Sequence, residues 1–287
     1  MTQQLQAELD RFNKEAKWKT HTIGDHTWRY VTSGKGDEWL LLIHGGGGNA
    51  STIFRYVTNL SPHFRIIAPS IPGTLTSMQE ITDGLIALFD REGTDQAHVY
   101  GPSLGGMIAQ VLAATYPERV GKCIFSHAGL PEPDQGQTMS KALLPLRLIP
   151  YPLFRWQMLR SIRSGLQTDI PDIDPEESTF WLSQFETVFK NELGKADVIG
   201  SVHLQIDYHG RLEQLAAAPL RHEPERFMLL FHENDQGFGA ETQTAMREFY
   251  PTARFRLLPL YGHLGALARA DGVIDEIKAF LQEKQQI

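Results

Sequence analysis

Gly101-Pro102-Ser103-Leu104-Gly105-Gly106 lies between a short apolar strand pattern, Ala97 to Tyr100, and a helical pattern, Leu104 to Tyr116. Gly-x-Ser-x-Gly between a strand and a helix reads as a nucleophile elbow, a turn sharp enough to push the serine out at the end of a sheet. Such a turn leaves no room for side chains beside the serine, and glycines at 101 and 105 supply that room. It also sets Ser103 at a helix N-terminus, where backbone N–H groups face a developing negative charge. The bland alternative is a tight glycine-rich turn without chemistry.

Working outward, Lys122 to Ser126 follows the helix as another strand. Upstream, Trp39 to Ile43 is a continuous apolar run stopped by glycines, as a buried parallel strand should be. Phe64 to Ala68 is a second such run, which Pro69 is expected to close, and Met78 to Arg91 has helical spacing through Ile81, Leu85, Leu88 and Phe89. The order β-α-β-α-β implies a parallel sheet covered by helices. Trp18 to Ile23 and His26 to Thr32 alternate around Gly24-Asp25, which predicts a hairpin. The first fifteen or so residues read as a polar helix or a loose arm.

Beyond Gly129 the alternation breaks. Residues 130–215 have helical periodicity, many aromatics and seven prolines, with no convincing strand. Strand-helix order returns with Arg226 to Phe231, a helix near Thr242 to Phe249, strand Ala253 to Leu258 and a final helix from Leu267 to Gln282. The expected fold is α/β: a mostly parallel sheet flanked by helices, formed by 1–129 and 216–287 with 1–17 as arm or helix. Residues 130–215 form a helical cap inserted into it.

Composition narrows the classes. In 287 residues, 41% are hydrophobic and 21% charged, which excludes a disordered chain, a collagen and a coiled coil. No apolar run approaches the ~20 residues of a membrane helix. A net charge of −7 without a Lys/Arg block argues against nucleic-acid binding. Cys123 stands alone, so neither an intrachain disulfide nor a cysteine zinc cage is available. The polar N-terminus does not read as a signal peptide, and a reducing cytoplasm is the expected setting.

His44-Gly45-Gly46-Gly47-Gly48-Asn49 follows the strand ending at Ile43. A loop of this kind can give a backbone donor for an oxyanion, with Gly46 the first choice, Gly47 a close second and the N–H of Leu104 as partner. A phosphate-binding reading is weak, since the spacing matches neither glycine-rich phosphate motif. An activated serine then needs an acid and a base, in the order Ser…Asp…His. Asp235 and His263 each lie just past a strand end, where open α/β sheets bind ligands. Glu233 competes with Asp235 for the role of acid.

With these residues in place, the chain resembles an α/β-hydrolase-fold serine hydrolase across roughly residues 19–285. Parts of it also resemble maspardin, carried by Val99 to Gln110, Asp235-Gln236 and Phe249 to Arg254. The first resemblance implies an esterase-like enzyme in which Ser103, Asp235 and His263 form the triad, with no cofactor. The second implies a binding or adaptor protein of doubtful activity, from which Gly262-His263 departs by supplying a base. The same triad would also serve C–C, amide or perhydrolase chemistry, and acyl transfer to an acceptor other than water remains a further rival.

Other residues carry less. Cys123 is expected to pack within a strand, and His127 to line the pocket or serve the structure. The eleven histidines show no metal-binding spacing. Residues 141–165 interleave Lys141, Arg147, Arg155, Arg160 and Arg163 with leucines and aromatics and hold no acid. They read as an ordinary cap helix or as a surface for anionic or lipid-like ligands. Trp156, Trp181 and Phe185 are the expected walls of a substrate pocket for a small molecule with an apolar group.

Overall fold

The computed structural model describes residues 1–283, so residues 284–287 of the expected 216–287 segment lie outside the described residues. Its centre is an eight-stranded sheet in the order β1-β2-β4-β3-β5-β6-β7-β8. The strands are β1 (Lys17–Ile23), β2 (His26–Ser33), β3 (Trp39–Leu42), β4 (Arg65–Ser70), β5 (Ala97–Pro102), β6 (Val120–Ser126), β7 (Phe227–His232) and β8 (Arg254–Leu258). β1 and β2 form the hairpin about Gly24, which takes φ +57, and β2 runs antiparallel to β4. From β4 to β8 every pairing is parallel.

Alternate residues of the central strands face opposite layers. Leu41 and Ile43 point into one core, and Leu40 and Leu42 into the other; all are fully buried. Burial on both faces explains the continuous apolar runs. The first core packs α3 (Met78–Glu92) and α4 (Leu104–Thr115) on the sheet; the second packs α1 (Thr2–Glu15), α2 (Phe54–Leu60) and α12 (Ala270–Gln282). Ser77 caps α3 by accepting the N–H of Gln79, and Gly93 ends it at φ +73. Gly84 inside α3 is required by packing: a Cβ there would stand 2.2 Å from the Trp28 indole.

Two expectations change, and one helix is added. Pro69 does not close β4, which runs to Ser70: β3 ends its pairing opposite Ile67, so at Pro69 only the β2 side is paired. α2 escaped the sequence pattern because Phe54, Arg55, Tyr56, Val57, Thr58 and Leu60 are all buried, leaving no polar stripe. The final helix is split into α11 (Gly265–Ala268) and α12, with non-helical Arg269 between them. The Ala268 carbonyl that a continuous helix would use internally accepts from Arg55 Nη1 instead.

α1 is a docked helix rather than a loose arm. Leu5 and Phe12 are buried, and Glu8 Oε2 accepts from Arg55 Nε at 2.7 Å. Arg55 itself is wholly buried and also donates to Asp271 Oδ1 at 2.9 Å. Removing Glu8 would leave the buried guanidinium short of counter-charge, a change of about 3–5 kcal/mol for an enclosed pair. Asp271 is more than half exposed, so solvent screens its pair and its loss costs less.

Between β6 and β7 the chain forms α5 (Pro133–Leu148), α6 (Tyr151–Asp169), α7 (Pro175–Asn191), α8 (Lys195–His209) and α9 (Leu212–Ala217). Prolines 133, 152 and 175 lie in the first turn of their helices, where the missing N–H costs nothing. Phe154, Phe185, Val188, Phe189, Leu193 and Val198 make a small core of their own. Leu204 and Tyr208 of α8 and Leu215 of α9 belong instead to the main core. Leu166 of α6, Ile170 after it, and Phe180 and Trp181 of α7 pack into the second core layer, so these helices too are keyed to the sheet. β7 is followed by α10 (Ala240–Phe249), the remaining cover of the first layer.

Candidate active site

Ser103 joins β5 to α4 with φ 55 and ψ −123, a strained position for a residue with a side chain. Packing enforces it. A Cβ on Gly101 would stand 2.2 Å from Gly105 O, and one on Gly105 would stand 2.5 Å from Ile43 O. The Ser103 N–H donates to Ser126 O at 2.9 Å, and its carbonyl accepts from Gly106 N at 2.9 Å. The serine hydroxyl is left in a cleft of about 130 Å³ shared with His263. Among the described residues no hydrogen bond joins the two side chains; such contacts often tighten only with substrate present.

The glycine loop after β3 lies against the elbow. A Cβ on Gly46 would be 3.9 Å from Leu104 Cβ, and one on Gly45 would be 3.6 Å from Ser103 Cβ. Gly47, at φ +69, faces Met158 and Phe189 instead. Leu104 begins α4, so its N–H has no acceptor inside the helix. His44 anchors the loop: its Nδ1 donates to Gly45 O at 2.8 Å, and its Nε2 accepts from Ile71 N at 3.1 Å. Burial pushes the pKa of His44 down to about 4, which keeps the ring neutral. Glu192, just past α7, ties the loop from outside by accepting from Asn49 Nδ2 at 3.0 Å and from Ser51 Oγ.

Asp235 follows β7 and is buried. Its Oδ1 accepts from Gly237 N at 2.9 Å and Phe238 N at 3.1 Å, and its Oδ2 lies 3.0 Å from His263 Nδ1. Burial alone would raise its pKa, but the bond from His263 and the neighbouring histidines hold the carboxyl below its ordinary value. Glu233 is exposed and reaches only the Leu260 N–H at 3.4 Å. The geometry therefore brings Asp235, and not Glu233, to His263. The His263 loop is gripped from α6: Asp169 accepts from Gly262 N at 2.9 Å through its carbonyl and from Leu264 N at 2.8 Å through Oδ2.

Beneath this pair lies a polar cluster that the sequence did not announce. His127 is fully buried at φ 49, with Nδ1 2.7 Å from Ser126 Oγ and Nε2 2.9 Å from His232 Nδ1. His127 therefore serves the structure and lies off the cleft wall. Burial, with His232 and His263 nearby, drives its pKa far below the ordinary value; burial takes His232 to about 4 against the opposing pull of Asp235. A helpful signal was the position of His232 at the end of the strand that delivers Asp235.

Phe185 lines the cleft beside Ile53, Leu264 and Leu267. Trp181 is buried on Phe54, with ring centroids 5.8 Å apart, and lines a separate small void with Phe185 and Val188. Trp156 corrects the expectation outright: it is 57% exposed on the outer side of α6, under the Arg160 guanidinium. Helical spacing does not tell the inner from the outer face of a helix covered only on one side. Cys123 is buried in β6 and burial pushes its thiol pKa up, as for an inert packing cysteine. Among the described residues no group of three or more His, Cys, Asp or Glu could hold a metal ion, and no helix is long and apolar enough to cross a membrane.

The sequence profile of the alpha/beta hydrolase family matches residues 40–276, most of the chain. The chain belongs to that family. This α/β-hydrolase is 27% identical over 212 residues to a Burkholderia vietnamiensis 2-hydroxy-6-oxononadienedioate/2-hydroxy-6-oxononatrienedioate hydrolase, spanning 67% of this chain and 71% of that one. A hydrolase from Pseudomonas aeruginosa has the same fold at a TM-score of 0.76 and 16% identity, covering 93% of this chain and 99% of the other. A thermophilic esterase from Thermogutta terrifontis matches at a TM-score of 0.70 and 20% identity, covering 93% and 98%. The α/β-hydrolase is an enzyme that uses water on a small molecule.

Proposed function

We propose that this α/β-hydrolase is a serine esterase acting on a small or medium carboxylic ester with an apolar group. Ser103 attacks the carbonyl carbon, and His263 takes its proton and returns it to the leaving alcohol. Asp235 fixes the imidazole tautomer and stabilises its charged form. The N–H groups of Gly46 and Leu104 receive the oxyanion. Water then repeats the attack on the acyl-enzyme with His263 again as base. Residues 130–215 are read as the cap that closes the cleft, and a reducing cytoplasm as the setting, on the strength of the lone Cys123.

One observation carries the ester reading. The cleft walls are mostly apolar, and among the described residues lining it there is no Arg or Lys. A dicarboxylate such as the one named for the Burkholderia relative would enter without a counter-charge, at a high desolvation cost. The second reading, hydrolysis of a related oxo-dienoate on the same triad, is favoured only by that likeness. The maspardin-like adaptor reading is not adopted, since the family and the Burkholderia relative are hydrolases.

A fluorophosphonate should label the wild type and not Ser103→Ala. A p-nitrophenyl ester series run beside an oxo-dienedioate then separates the readings. Turnover of the dienedioate with no ester turnover would overturn the esterase.

A further inference from the structure

The outward faces of α5 and α6 combine two kinds of exposed side chain. Leu144, Leu148, Leu153 and Trp156 are 66, 75, 53 and 57% exposed, half of the eight large apolar side chains exposed among the described residues. They flank the Ile149-Pro150 turn at helical spacing, 144 and 148 on α5, 153 and 156 on α6. Lys141 continues the first face, and Arg160 and Arg163 the second, all exposed. From Gln135 to Thr168 there is no acid, while Lys141, Arg147, Arg155, Arg160 and Arg163 give +5. The whole chain is −7, so the remainder carries −12.

The inner side of α6 faces the active site. A Cβ on Gly47 would meet Met158 Cε at 3.8 Å, and one on Gly165 would meet Leu264 Cδ1 at 2.9 Å, and Leu264 lines the cleft. One helix thus has a cleft side and an exposed cationic-apolar side.

We propose that this α5–α6 face docks on an anionic lipid bilayer, with the turn at Ile149-Pro150 set into the headgroup layer beside the Ser103 cleft. Leucines and a tryptophan interleaved with Lys and Arg are the chemistry of an interfacial helix: apolar groups enter the acyl boundary and cations meet anionic headgroups. Each cation near such a surface strengthens binding about fivefold. A second copy of the chain fits less well, because a two-fold dimer would set the +5 segment against its own like charge. A nucleic acid would engage the cations but not three exposed leucines. The inference does not depend on the ester reading, since a hydrolase of any acyl compound would dock by the same face.

The test is sedimentation of the full chain with phosphatidylcholine vesicles, with and without phosphatidylserine. It includes Leu144→Ser/Leu148→Ser and Arg160→Glu/Arg163→Glu variants whose folding is checked by thermal melting. The wild type should pellet with phosphatidylserine vesicles at low salt and be released at about 1 M salt, where charges are screened within ~3 Å. Charge reversal should weaken binding at least twentyfold, about fivefold for each cation lost. The leucine variant should bind less to both lipids. If either variant fails to fold, the lipid and salt dependence of the wild type decides alone. Wild type left in the supernatant with both vesicles would overturn the proposal, as would pelleting that neither variant changes. A wild-type dimer dissolved by the leucine substitutions would assign the face to a second copy and overturn it as well.

Discussion

Asp169 holds His263 from both sides. Its carbonyl takes the N–H of the residue before the histidine and its carboxylate the N–H of the residue after, at 2.9 and 2.8 Å. Gly262 is obligatory for this grip, since a Cβ there would stand 2.4 Å from Asp169 Oδ1. His263, the proposed base, is thus positioned by α6 as well as by its own strand. We expect Asp169→Ala to lower kcat by up to about a hundredfold with little change in KM, as displacement of a catalytic group by ~1 Å would. Asp169→Asn keeps one side-chain oxygen that can accept from Leu264 N where Oδ2 does now, and should stay near wild type. Equal losses in both variants would point to the charge, and no loss in either would show that β8 alone places the base.

Ser103→Ala and His263→Ala should each reduce kcat by about 10⁴ to 10⁶, and the double variant should be little worse, because the residues act as a unit. Additive losses in ester turnover would speak against a shared proton transfer.

Asp235→Asn should cost about 10⁴ by leaving the imidazole in the wrong tautomer. Glu233→Gln, on an exposed side chain, should cost almost nothing. The reverse order of kcat values would move the acid to Glu233.

His44, His127 and His232 are buried with pKa values below the ordinary 6.5, about 4 for the first and last. The unfolded chain therefore binds more protons than the native one between pH 6.5 and about 4. Stability should be full above pH 6.5 and fall through that window, by up to about 1.4 kcal/mol per pH unit for each histidine. The lowered carboxyl of Asp235 adds loss only at still lower pH, below the ordinary carboxylate range. His232→Gln should flatten the decline. A melting temperature constant from pH 7 to 4.5 would contradict the buried neutral rings.

The aromatic side chains of the insertion should separate in an ester series. Each added methylene should raise kcat/KM by up to about fourfold, equivalent to ~0.8 kcal/mol, until the cleft is full. Phe185→Ala should shift that profile, whereas Trp156→Ala should leave it unchanged. Trp181→Ala should lower stability by about 3–5 kcal/mol, since its ring is wholly buried. A shifted profile in Trp156→Ala would return that side chain to the substrate.

The elbow, the glycine loop and the Asp-His pair were legible because each couples a residue type to a strand end that periodicity reveals. Where two candidates shared a strand end, as Glu233 and Asp235 do, sequence order could not choose; burial and the 3.0 Å contact to His263 do. Trp156 was misread because helical spacing shows which side chains share a face, not which face is covered. The hold of Asp169 on His263 and the His127–His232 pair were invisible for another reason. They join residues distant in the chain through backbone groups and ring nitrogens that no motif encodes.

Arg55 has one more consequence. It binds Glu8 from the first helix and Asp271 from the last described one, so these two helices converge on a single guanidinium. A ribosome-bound chain could not complete that junction until residue 271 had emerged. Closure of this junction therefore waits on synthesis of nearly all the described residues, and fraying of either helix loosens the other.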